Sequence, residues 1–264
     1  MDKKYNILRP IKIDTLIRIG RNADGGYVVD EDLVKNCDVL ISFGLGTDWS
    51  FELNLIKKNP DVKIHMYDNT VSNYPYIKQI GKYFKRFITF RVNLLDLKTR
   101  INFFLDYLNF FKLSQVSFFR EKISFPVKNK NEADMNKVFS RLPKDKRIVL
   151  KCDIEGSEYE IINQINDYSD RIDMLIFEFH SLDVNEEIFL NSINLFNKNF
   201  HIVHLHGNNH CGKSLTGLPI ILEMTLINKR FKKDTSNYVT DFPIKNLDFP
   251  NNPYKSDLFF SLKD

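Results

Sequence analysis

Cysteine is scarce in this 264-residue chain: there are three, Cys37, Cys152 and Cys211, with no close-spaced pair. They form no zinc-type pattern, and an odd, sparse count fits a reducing compartment better than a disulfide framework. No run approaches the ~20 apolar residues that a membrane helix needs, so no stable membrane insertion is expected. The N-terminus, MDKKYNILRP, meets charge within a few residues and offers no apolar signal core, which favours a cytoplasmic chain. Charge of one sign is lacking too. Thirty-eight basic against 34 acidic residues leave a net +4, which gives no reason to expect a nucleic-acid partner. No internal repeat or low-complexity tract is present. What remains is ordinary globular composition at a length suited to one large α/β domain, able to bury its core without cross-links.

Seven short β-rich runs punctuate the chain, at 39–43, 63–67, 88–92, 147–152, 173–179, 201–205 and 219–227. Several, such as RIVLKCD and DMLIFEF, are almost continuously apolar, as strands of a helix-covered parallel sheet are. Helical periodicity follows at 50–58, 157–165 and 186–197. Strand and helix alternating in this way predict a doubly wound, mostly parallel α/β sheet in a single domain. Within it, 1–37 reads as an N-terminal cap segment and 38–229 as the core, with 230–264 as a polar, proline-dotted tail. Residues 96–146 are too long for one crossover and rich in aromatics; they read as an insertion, a lid or an interface, with a helix at 133–142.

In open α/β sheets ligands bind at the carboxyl ends of the strands, where strand order reverses. After the first run comes Gly44-Leu45-Gly46-Thr47-Asp48-Trp49, a turn in which glycine lets backbone approach a ligand at a helix N-terminus. Asp68 closes the second run, where a carboxylate can accept hydrogen bonds from both ribose hydroxyls. Loop and acid together point to an adenosine-type ligand. A dinucleotide would want a third glycine where Trp49 stands, and Asp48 would oppose its pyrophosphate. Asp153 and Glu155 end the fourth run and Glu178 and His180 the fifth, while the sixth ends in His204-Leu205-His206-Gly207-Asn208-Asn209. Carboxylates at buried strand ends are costly unless paired or used. Glu158 reads equally well as a residue of a helix's first turn. The histidines lack zinc spacing, and magnesium held by Asp153 and Glu178 is the minority metal reading.

KCDIEGSEYEII resembles the x-D-(I/V)-E-G-x-E segment of the FkbM-type methyltransferases. FGLGTDWSFEL and RNADGGYVV (21–29) resemble one branch of that family, and the likeness runs from about residue 18 to 228. It implies a seven-stranded class I methyltransferase that uses S-adenosylmethionine and methylates hydroxyls, often of sugars in surface polysaccharides or glycoconjugates. Carried over, Gly44, Gly46, Thr47, Asp48 and Asp153 would border the cofactor, Asp68 its ribose, and Asn93 or Asp96 its adenine. His180 is the expected general base, with Asp153 second. Glu178 is expected beside them, and Glu155, His206, Asn208, Asn209 and Tyr27 against the acceptor. That acceptor is a small molecule or saccharide, and a homo-oligomer fits as well as a monomer. The rival readings are a nucleotide-sugar- or NAD-dependent enzyme on the same sheet, or a non-catalytic scaffold.

Overall fold

The computed structural model describes residues 2–232 and 237–263. Its central sheet has seven strands, numbered here in chain order: β1 (Val39–Phe43), β2 (Lys63–Tyr67), β3 (Val116–Phe119), β4 (Ile148–Cys152), β5 (Ile172–Phe179), β6 (Phe200–Gly207) and β7 (Leu222–Asn228). They lie in the order β3-β2-β1-β4-β5-β7-β6, with β7 antiparallel to both neighbours and every other pairing parallel. The expected doubly wound, mostly parallel sheet is therefore present.

Every residue of β1, β4 and β5 is buried. The period of two sends alternate side chains into two apolar layers. Ile41, Phe43, Leu150 and Phe177 pack on one face, and Leu40, Val149, Met174 and Ile176 on the other. Helices cover both faces: α1 (Glu31–Asn36), α2 (Ser50–Lys58), α3 (Tyr74–Ile88), α4 (Leu94–Phe110), α5 (Met135–Ser140), α6 (Ile162–Asp167) and α7 (Leu182–Phe196). The helix expected at 157–165 is divided, a 3₁₀ turn at Glu158–Glu160 preceding α6.

One expected strand is absent. Residues 88–92 (ITFRV) have β-forming composition, but α3 continues to Ile88, and Phe90 takes a left-handed φ of 54° to turn the chain. Asn93 then opens α4, its side chain accepting from the Asp96 amide while Asp96 accepts from the Asn93 amide. Such reciprocal capping is a strong local helix signal, and it outweighs the β-propensity of the five residues before it. The third strand comes instead from Val116–Phe119, inside the stretch read as an insertion.

Two outlying segments flank the sheet. An N-terminal hairpin pairs Leu16–Ile19 with Tyr27–Asp30. The tail returns as Asp241–Phe242 paired with Phe260–Ser261, with Phe242 and Phe260 buried and stacked on each other.

Strand order reverses between β1 and β4, and there the segments leaving the two strands nearly touch. The Asp153 amide donates to the Phe43 carbonyl at 3.0 Å. Gly44 has φ +75°, and a Cβ on it would fall 1.6 Å from the Asp153 carbonyl oxygen. Gly46 also has positive φ, +57°, but nothing lies within 4 Å of its added Cβ. Gly44→Ala should thus lower unfolding stability by about 2–4 kcal/mol, through overpacking and strain. Gly46→Ala should cost about 1 kcal/mol, the conformational term alone. Urea unfolding of the two variants measures the difference, and equal losses would refute the contact as its source.

Candidate active site

The crevice above β1 and β4 holds a cavity of about 490 Å³, within the size range of small-molecule sites. Gly44, Gly46, Thr47, Asp48, Asp68, Asp153 and Glu155 all line it, so most of the expected cofactor residues are brought together. Asn93 is not among them. It is exposed at the start of α4, away from the cavity, because the strand expected to carry it does not form.

Asp68 does more than end β2. One carboxylate oxygen accepts from the amides of Leu45 (2.9 Å) and Gly46 (3.0 Å). The other accepts from the Thr70 amide and hydroxyl and from the Val71 amide. Burial disfavours the charge, but these donors outweigh it and hold the carboxyl below its ordinary range. With five donors already on Asp68, ribose hydroxyls would share it or turn to Asn69, the exposed lining residue beside it. Asn69 had no motif to mark it.

The lining is acidic: Asp24, Asp48, Asp68, Glu121, Asp153 and Glu155 face three basic groups, Arg21, Lys122 and Lys151. Lys151 is buried, donates to the Gly44 carbonyl at 3.3 Å and lies 4.0 Å from buried Glu52. Burial works against its charge, but Glu52, Asp153, Glu178 and Asp48 together keep its pKa above the usual lysine value. Arg21 pairs with Asp48 at 3.2 Å, drawing the N-terminal hairpin loop onto the glycine turn as one wall. The donor set therefore fits a ligand with positive charge and hydroxyls, and opposes a pyrophosphate.

Beneath the cavity lies a buried polar chain. The Tyr27 hydroxyl is 3.0 Å from Asp153 and 3.4 Å from Glu178, and Asn208 donates to Glu178 at 2.6 Å. Burial first, and then the charges of Asp153 and Glu223, push the Glu178 carboxyl well above its normal range. Each Glu178 oxygen therefore already has a partner, the Tyr27 hydroxyl on one and the Asn208 amide on the other. Glu178, Tyr27 and Asn208 were expected at the reacting groups, but they stand behind Asp153 and orient it. The Asp153–Glu178 magnesium pair is likewise not formed, since Tyr27 and Asn208 occupy the Glu178 oxygens. Asp153, Glu155 and His180 do bring one ligand atom each within 4.8 Å of one another. Glu155, however, is 86% exposed, so they form an open cluster rather than a cage.

His180 sits at the end of β5 with Nδ1 3.2 Å from Glu158. Nε2 is 3.5 Å from Glu155 and 3.9 Å from Asp153. Glu158 is fully buried; it also takes the amides of Gly156 (2.8 Å) and His180 (2.7 Å). Its role as the partner of His180 depends on tertiary structure, which is why the local sequence showed only a helix-start residue. Burial disfavours protonation of His180, but Glu158, then Asp153 and Glu155, raise its pKa above the usual 6.5.

His206 and Asn209, expected at the acceptor, hold the tail instead. His206 is fully buried between Glu223 (3.1 Å) and Asp257 (3.1 Å). His204 Nε2 lies 2.9 Å from Asp248, and Asn209 donates to the carbonyls of Asn252, Lys255 and Ser256.

The strand order β3-β2-β1-β4-β5-β7-β6, with its antiparallel β7, is the class I methyltransferase arrangement of the Rossmann-like folds. No family model and no curated protein matches the chain. Among solved structures it is similar to a precorrin-6y C5,15-methyltransferase from Geobacter metallireducens, with 13% identity, coverage of 75% of this chain and 85% of that one, and a TM-score of 0.38. It is also similar to a fibrillarin pre-rRNA processing protein of Methanococcus jannaschii, with 8% identity, 74% and 68% coverage, and a TM-score of 0.40. A dimethyladenosine transferase from Plasmodium falciparum gives 10%, 76% and 61%, and 0.36.

His206 yields a test of the tail. Burial alone would lower its pKa, but Glu223 and Asp257 raise it from 6.5 to about 10. Its stabilising effect is then full below its unfolded value of about 6.5 and is lost as pH rises through about 10. The stability difference between wild type and His206→Gln should be constant below pH ~6.5 and shrink toward pH ~10. Urea unfolding across that range checks the trend, and a difference that grows with pH would contradict it.

Proposed function

We propose that the chain is a cytoplasmic S-adenosylmethionine-dependent O-methyltransferase of the FkbM type. Its proposed acceptor is a saccharide hydroxyl in surface-polysaccharide or glycoconjugate assembly. The observation that carries this reading is one juxtaposition: an acid-lined cavity at the strand-order reversal, with a carboxylate-backed histidine beside it. The saccharide class rests on the KCDIEGSEYEII resemblance alone.

The bound cofactor supplies a methyl group made electrophilic by its positive sulfur. The chain's residues do the rest. Gly44 and Gly46 give it bare backbone, while Asp48, Asp68 and Asp153 place negative charge around a cationic ligand. Holding an acceptor hydroxyl in line with the methyl converts a bimolecular collision into a positioned reaction. His180 Nε2 would take the proton of an acceptor hydroxyl held beside it, so that the oxygen could accept the methyl group the cofactor would supply. Glu158 keeps a hydrogen on Nδ1, so that Nε2 is the free base in the neutral ring.

His180→Ala should lower kcat by about 10²–10⁴-fold with cofactor affinity unchanged. The measurement is transfer of labelled methyl to a saccharide panel, alongside titration with S-adenosylhomocysteine. Near-wild-type turnover would remove His180 from the mechanism. The base must be neutral, so kcat/KM should rise with pH through a midpoint above 6.5, set by the raised His180 pKa. Glu158→Gln, confirmed folded by its melting curve, removes the charge that raises it and should move that limb to lower pH. An unmoved limb would dissociate Glu158 from the base.

A further inference from the structure

The α3–α4 hairpin has a face that the active-site reading does not use. Tyr76 is the one buried residue of α3. Ile77, Phe84 and Ile88, spaced to share a helix face, are 57%, 53% and 58% exposed. The turn beyond adds Phe90, Leu94 and Leu95 at 96%, 62% and 70%. Apolar side chains scattered singly on a surface are ordinary, whereas a clustered set marks an interaction site.

The same hairpin concentrates positive charge. Residues 74–110 contain seven basic and two acidic side chains, a net +5 in a chain whose total is +4. The remainder of the molecule is thus close to neutral, and Lys82, Lys85, Arg86 and Arg91 crowd toward the apolar turn.

Packing fixes where the turn points. The second half of α4 is anchored, with Trp49 against Phe103, Tyr107 and Phe110, and Phe111 against Phe118 of β3. Trp49 follows the carboxyl end of β1. Residues 94–102, about 13 Å of helix, therefore project beyond the sheet's carboxyl edge, on the side where the cavity lies.

Three kinds of partner could cover this face. A second copy docking through the same patch would set +5 against +5. A nucleic acid would use the basic residues but not the aliphatic Ile88, Leu94 and Leu95. An anionic bilayer uses both features, because apolar side chains enter the headgroup–acyl boundary while lysine and arginine meet lipid phosphates. We propose that the α3–α4 turn docks the protein peripherally on an anionic lipid surface, with Phe90, Leu94 and Leu95 entering the boundary. Docked this way, the molecule holds its cavity toward the membrane. This inference stands apart from the methyl-transfer reading, and its test uses no cofactor.

The test is co-sedimentation of the full chain with vesicles of phosphatidylcholine alone or mixed with phosphatidylglycerol. Binding to the mixed vesicles only is expected. The exposed double substitution Leu94→Ser/Leu95→Ser should weaken it at least about tenfold, as should Lys82→Glu/Lys85→Glu/Arg86→Glu. Circular dichroism and melting curves confirm that both variants are folded. The proposal is overturned by absence of vesicle binding, or by binding that the leucine variant leaves unchanged. It is equally overturned by tighter binding to an RNA oligonucleotide than to the mixed vesicles, or by a dimer of the free protein that the leucine variant dissociates.

Discussion

A single carboxylate organises the carboxyl edge of this sheet. Asp68 binds the amides of Leu45 and Gly46 with one oxygen and three donors of Thr70 and Val71 with the other. It thereby ties the loop after β1 to the chain leaving β2, and through that chain to the start of α3. Gly44 is held on the opposite side by the Asp153 carbonyl, where no larger residue fits. The cavity floor is thus bare backbone clamped from both sides. Its shape is fixed by backbone hydrogen bonds rather than by rotamers of long side chains.

The charge pattern follows from that clamp. Carboxylates gather at the strand ends, and each has a distinct means of being tolerated. Asp68 is held ionised by donors, Glu178 is pushed toward neutrality by burial and like charge, and Glu158 faces a histidine. Tyr27 links Asp153 to Glu178, so the N-terminal hairpin takes part in the polar chain beneath the cavity. The tail does the same on the far side, because its acids Asp248 and Asp257 meet the histidines of β6. Segments outside the core of the fold thus act as braces for its carboxyl end.

Much of this was legible in the sequence. Continuous apolar runs such as RIVLKC and DMLIFEF located β4 and β5, and α2 lies at its expected bounds. The glycine loop and the acids of β2 and β4 converge as strand-end reasoning required. The failures have physical causes. Residues 88–92 resemble a strand because propensity is local, and the capping pair Asn93–Asp96 decided otherwise; with that strand went the placement of Asn93 near adenine. His206 and Asn209 sit on the right strand and its exit, but their partners are about 40–50 residues further along, where sequence spacing gives no hint of contact. Glu158 was hidden for the same reason.

The central claim is that the crevice between β1 and β4 takes a cationic adenosyl cofactor rather than a dinucleotide. Calorimetric titration of the purified protein with S-adenosylmethionine, S-adenosylhomocysteine and NAD tests it most directly. The account predicts saturable binding of the two adenosyl compounds, weakened when Asp48 is replaced by Asn, and no binding of NAD. Binding of NAD in their place, by protein shown to be folded, would contradict it.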